Sequence, residues 1–165
     1  MNGPLGELIA LVAQELEQYR RLLVLVRQER GMIVRGELNR LAEIVRKKES
    51  LTGDLAKLGE SRARTLARVI RDHGGASGET SLAAAAALVP GEAGQKLQAL
   101  RDQFRQVVGC LVAGNELNRE LLAKSLTVVN GSLALFKTIL SSHATYGAAG
   151  QLETGPAMAA LNQTA

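Results

Sequence analysis

The chain has 165 residues, 46 % hydrophobic but only 2 % aromatic, with twenty Lys and Arg against sixteen Asp and Glu for a net charge of +4. Lacking Trp and holding only two Phe and two Tyr, it is short of the bulk on which deep small-molecule pockets draw, which argues against an enzyme and for helical packing of Leu, Val, Ile and Ala. The pI near 9.6 does not make a nucleic-acid binder, because the charges are interspersed and the only basic run, Arg46-Lys47-Lys48, lies between Glu43 and Glu49.

Pro4, a favoured first helical residue, opens the first predicted helix (4–35) after Asn2-Gly3. Its seam is Leu5, Ile9, Val12, Leu16, Tyr19, Leu23, Val26 and Ile33, with Arg30 the one polar intrusion. The heptad holds over about four repeats, a rod of about 45 Å. Gly36 is placed to end it and permit a turn. The second predicted helix (37–73) carries Leu38, Leu41, Ile44, Val45, Leu51, Leu55, Leu58, Leu66, Val69 and Ile70 and stops at His73-Gly74-Gly75. His73 is read as a helix C-terminal residue, where a partial positive charge is favourable, and not as a catalytic one.

Residues 74–81 are rich in Gly and Ser and read as a flexible connector. A short helix over 82–89, with five consecutive alanines, is expected to end at Pro90. The last predicted helix runs over 91–143, roughly 80 Å if unbroken. Gly109, Gly114 and Gly131 are the places where it would bend. The fold expected is all-α: an elongated antiparallel up-down-up helical bundle or coiled coil with a long C-terminal helix. One helical domain would cover 1–150, and 151–165 would form a mobile tail.

Along the last helix one face carries Leu97, Leu100, Phe104, Val108, Leu111, Asn115, Asn118, Leu122, Leu126, Val129, Leu133, Phe136 and Leu140, spaced in threes and fours as a packing seam. A second stripe, Leu117, Leu121, Val128, Leu135 and Ile139, runs roughly 100° to one side. Before residue 110 that side is mostly Lys96, Ala99, Gln103 and Gln106, so the apolar arc widens only in the last third. One neighbouring helix is too little cover for it. Either the chain folds another element over it, or a second protein supplies the cover.

Asn115 and Asn118 sit in the seam, where a polar residue either fixes helix register or faces a partner's backbone; both roles are compatible. Tyr19 reads as a core residue with its hydroxyl at an edge. Tyr146, beyond the apolar stretch in Thr145-Tyr146-Gly147, is either helix-end packing or a docking residue. Acids and bases otherwise stand at helical pair spacings (Glu17 and Arg21, Glu43 and Lys47, Glu60 and Arg64, Glu120 and Lys124), which describes a solvated face. No catalytic set emerges, and no cofactor is implied. One cysteine, Cys110, with two scattered histidines makes neither an internal disulfide nor a metal site. Glu7, Glu15 and Glu17 break up the N-terminal apolar residues, and no run approaches the roughly 20 apolar residues of a membrane span. A cytoplasmic protein without membrane insertion is expected.

Several blocks together resemble the FlgN family of flagellar export chaperones over roughly residues 5–152. They are Gly36-Glu37-Leu38 leading into Lys47-Lys48-Glu49-Ser50-Leu51, Arg62 to Leu66, Asn115-x-x-Asn118-x-x-Leu121-Leu122-x-x-Ser125-Leu126, and Thr145-Tyr146 with Gly150 behind it. Gly147 and the stretch 74–89 depart from the family pattern. The resemblance implies a chaperone without enzymatic activity that binds the C-terminal helical segments of the hook-associated (hook–filament junction) proteins. It would keep them from assembling early and deliver them to the cytoplasmic domain of the flagellar export gate, with the export ATPase complex as a further partner. Such a protein is expected to be a monomer or weak dimer. The second stripe would then be the cargo surface and Tyr146 the gate-docking residue. The rival reading is a homo-oligomeric coiled-coil scaffold whose second stripe is a self-association face.

Overall fold

The computed structural model describes residues 3–76, 78 and 80–142. They form four helices, α1 (Pro4–Arg35), α2 (Leu38–Asp72), α3 (Leu82–Leu88) and α4 (Gly91–Ser142), and no strand is found among them. The chain divides into two compact units, Met1–Leu121 and Leu122–Ala165. The first holds α1, α2, α3 and α4 as far as Leu121.

Several helix ends in the first unit have a local cause. Pro4 starts α1 behind an extended Gly3, where its missing N–H costs nothing. Gly36 closes α1 at φ 67°, in the left-handed region that glycine adopts most readily. Its N–H donates to the Ile33 carbonyl and that of Glu37 to the Met32 carbonyl, the paired bonds of a Schellman ending. No side chain caps α2. The Glu37 carboxylate instead accepts from Arg35 at 2.6 Å and Arg40 at 2.8 Å, and those bonds hold its carboxyl below the ordinary value. At the far end the His73 ring meets the Val69 carbonyl at 2.8 Å, Nδ1–H donating. Ser81 caps α3 by accepting the Ala84 N–H at 3.0 Å.

Side-chain pairs fix the helix directions. Glu7 meets Thr65, Glu15 meets Arg62 and Glu29 meets Lys48, so α1 and α2 are antiparallel. Tyr19 meets Phe104 and Arg30 meets Asn118, so α1 and α4 are parallel. The first unit is an up-down-up bundle. Its main core joins Leu8, Ile9 and Val12 of α1 to Leu66, Val69 and Ile70 of α2. Leu82, Ala85 and Val89 close it from α3 and its C-terminal edge, and Leu97 from α4. Each fully buried Leu or Val there contributes about 1.5–3 kcal/mol. Two members of the expected α2 seam, Leu38 and Val45, are exposed instead: Leu38 is the first residue of α2, and Val45 stands about 100° round the helix from the buried Ile44.

The second unit is described from Leu122 to Ser142 and holds one helical segment. Within it no second element is described that would cover that segment. The helix α4 is continuous through Gly109, Gly114 and Gly131.

Candidate partner-binding surface

Two polar layers tie the helices of the first unit together. In the first, Glu15 is only 2 % exposed and accepts from Arg62 Nε at 2.6 Å. Burial pushes its carboxyl pKa up, with Arg62 pulling the other way. The Arg62 guanidinium also lies 5.8 Å from the centre of the Phe104 ring, within cation–π reach. Phe104 takes Tyr19 edge-on with centroids 4.9 Å apart. Burial, and then the nearby Glu15, raises the Tyr19 pKa. Tyr19 is thus the half-buried packing residue its seam position predicts.

The second layer is built on Asn118, 3 % exposed. Its amide nitrogen donates to the Val26 carbonyl at 2.9 Å and to Glu29 Oε2 at 2.7 Å. Its oxygen accepts from Arg30 Nε at 3.2 Å. Lys48 Nζ donates to the same Glu29 oxygen at 2.7 Å and to Asn115 Oδ1 at 3.2 Å. A turn earlier, Gly114 lets α4 approach α1 closely: a Cβ there would sit 2.9 Å from Val26 Cγ1.

The buried acids and their bases were not anticipated, though a signal exists. Leu8, Glu15, Leu22 and Glu29 recur every seven residues and form a third row beside the α1 seam. Their partners Lys48 and Arg62 fill the breaks in the α2 seam, between Ile44 and Leu51 and between Leu58 and Leu66. The exposed pair Glu17 and Arg21 matches the solvated-face expectation, at 3.6 Å.

The two seam asparagines separate. Asn118 is buried and bonded at both ends of its amide, while Asn115 is exposed and bonded through its oxygen. In the first unit Leu97 and Leu111 are buried, and Leu100, Phe104 and Val108 are half-buried. Of the second stripe, Leu117 is exposed there and Leu121 half-buried.

In the second unit the picture changes. The second-stripe residues Val128, Leu135 and Ile139 are exposed, Val128 by 67 %. So are the seam residues Leu122, Leu126, Val129, Leu133 and Phe136. Beyond Asn118 and Leu121 the seam residues thus stand open, as the second-stripe residues do. Residues 122–139 hold two charges, Lys124 and Lys137, and no acid. Tyr146 lies outside the described residues, as does the 151–165 tail.

Elsewhere, a shallow groove of about 590 Å³ between α1 and α2 is lined by Gln, Lys, Arg and Leu side chains with Ser50 and Asp54. Asp54 lies 3.5 Å from Lys57. Among the described residues no group of His, Cys, Asp and Glu is placed to hold a metal ion. No described helix is long and apolar enough to cross a membrane.

Among the described residues, an exposed apolar helical face of this extent is the kind of surface on which other chains bind. A family model described as FlgN protein matches residues 1–154. The chain belongs to the FlgN family, a non-enzymatic family of flagellar export chaperones that bind flagellar substrate proteins. No curated protein and no solved structure matches it.

Proposed function

We propose that this chaperone binds the C-terminal helical segments of the hook–filament junction proteins in the cytoplasm, prevents their early assembly and delivers them to the export gate. The observation that carries the reading is the run of exposed apolar residues from Leu122 to Ile139. An amphipathic helix laid along it would be held helix against helix. The proposed cargo residues are Leu117, Leu121, Val128, Leu135 and Ile139, joined by the open seam positions Leu126, Val129 and Leu133. Burying four or five such side chains at about 1.5–3 kcal/mol each outweighs the cost of ordering a disordered cargo end. Asn115, at the exposed edge of its layer, is placed to meet the cargo backbone.

The test is titration of the full chain with the C-terminal segments of candidate junction proteins, followed by calorimetry. Binding should be micromolar or tighter. Val128→Asp with Leu135→Asp should abolish it while the helical signal stays. Undiminished affinity in that folded variant would sink the surface assignment, and a stable oligomer that ignores cargo would favour the scaffold reading.

Tyr146 is proposed as the gate-docking residue: a rigid ring with a polar tip suits a wet interface. Tyr146→Ala should leave cargo affinity unchanged and weaken binding to the gate's cytoplasmic domain by at least about 1 kcal/mol. Measured on the same variant, lost cargo binding would move Tyr146 to the cargo site, and no loss of either would return it to packing.

A further inference from the structure

Leu126 and Leu135, each 62 % exposed, lie nine residues apart on the segment of α4 that the second unit holds. At about 100° per residue they stand half a turn from each other, on opposite sides of the helix. The other exposed apolar side chains fill the half of the circumference between them: Val129, Leu133 and Phe136 lie toward Leu126, and Val128 and Ile139 toward Leu135. The remaining half carries Ala123, Thr127, Asn130, Gly131 and Ala134. A single neighbouring helix covers a seam narrower than about 100°. A helix that reaches Leu126 therefore leaves Leu135 in water, and one that reaches Leu135 leaves Leu126. In the first unit α4 already packs on two helices, Phe104 meeting Tyr19 of α1 and Arg62 of α2. Covered on both sides, the large apolar residues from Leu122 to Ile139 offer an area on the order of the 800 Å² per partner that a specific interface buries. One side alone falls short of it.

We propose that the open half of α4 is completed by two helices of one partner chain, laid side by side as a helical hairpin so that one covers Leu126 and the other Leu135. The inference rests on the reading of that half as a cargo surface and goes beyond it: the cargo end recognised here is a pair of amphipathic helices, each with its own narrow apolar seam. Two helices joined in one chain lose their translational and rotational freedom once, whereas two separate helices lose it twice. The hairpin is for that reason the favoured occupant.

The experiment is calorimetric titration of the full chain with the C-terminal segment of a candidate junction protein in two lengths, one carrying a single helix and one carrying two. Leu126→Asp, Leu135→Asp and, as a control on the polar side, Thr127→Asp are run beside the native chain, each checked for an unchanged helical signal. Leu126→Asp and Leu135→Asp should each weaken binding of the longer segment at least about tenfold, and Thr127→Asp should stay within about threefold of native. The shorter segment should bind the native chain at least about tenfold more weakly than the longer one and respond to only one of the two leucine substitutions. One longer segment should bind per chaperone. A longer segment indifferent to either leucine substitution, or a shorter one that binds as tightly as the longer, would overturn the proposal. Two shorter segments held together as tightly as one longer segment would overturn the hairpin. A native chain that binds no junction segment of either length would sink the cargo reading and this inference with it. Native binding that answers to one side of the helix only would sink this inference alone.

Discussion

Leu97 and Leu133 both belong to the row of apolar residues spaced in threes and fours, yet Leu97 is sealed and Leu133 is more than half open to water. The two halves of α4 share the spacing of their seam, although the apolar second stripe is found only from Leu117 onward. What separates them is company. Around Leu97 stand α1, α2 and α3, whereas the second unit as described holds one helical segment. The same seam spacing is core in one place and an exposed face in the other.

The harshest way to break that comparison is to put the same charge into both halves. Leu97→Asp or Leu111→Asp buries a carboxylate without a partner and should cost at least about 3 kcal/mol, enough to unfold much of the bundle. Val128→Asp should shift stability by no more than about 0.5 kcal/mol. Thermal melts followed by circular dichroism decide it. Equal destabilisation by both would mean the second half is covered after all.

Glycine gives a gentler version of the same contrast, with opposite signs. Gly131 has nothing within 4 Å of a would-be Cβ, so Gly131→Ala should add up to about 1 kcal/mol of helix stability. At Gly114 the new methyl would press on Val26 Cγ1. Overpacking costs typically about 1–3 kcal/mol, so Gly114→Ala should be net destabilising despite its better helix propensity. Chemical denaturation and local amide exchange would read both. A stabilising Gly114→Ala would show that α1 and α4 lie further apart than described.

The smallest effect concerns pH. Because burial raises the Glu15 pKa, folding favours its protonated form. Its contribution is fully present below the ordinary carboxylate value of about 4.3 and is lost as pH rises through the raised value. The stability of the native chain relative to Glu15→Gln should therefore improve as pH is lowered from 7 toward about 4.5. A difference that is flat or opposite in slope would place the Glu15 carboxyl in a wetter setting. Glu37 runs the other way: its lowered pKa gives a contribution present at neutral pH and lost in acid.

These contrasts also show what was legible in the residues. Heptad rows gave the α1 seam, Gly36 and Pro90 marked helix boundaries, and the all-α architecture followed. The faces of α4 were correctly drawn, but periodicity says which residues share a face and not whether anything stands opposite. That is why the seam spacing of Leu97 runs on unchanged through Leu133 and Phe136, which are exposed. The buried pairs were illegible for a different reason. Glu15 meets Arg62 and Asn118 meets Val26 across 47 and 92 residues, and each charge taken alone looks like one more solvated helix residue. Only the register of three packed helices turns them into layers.

The continuity of α4 across residue 121 has a consequence for the free protein. A segment of about 20 residues is a marginal helix in water by itself, because the first turn fixes several dihedrals for a single hydrogen bond. Here no new turn has to be nucleated, since the half locked in the bundle supplies one and the open half only propagates it, one bond per residue. An incoming chain would meet a template whose backbone order is already set, and need supply only its own. Cut free as a peptide, residues 122–142 should lose most of their helicity even though their own sequence is unchanged.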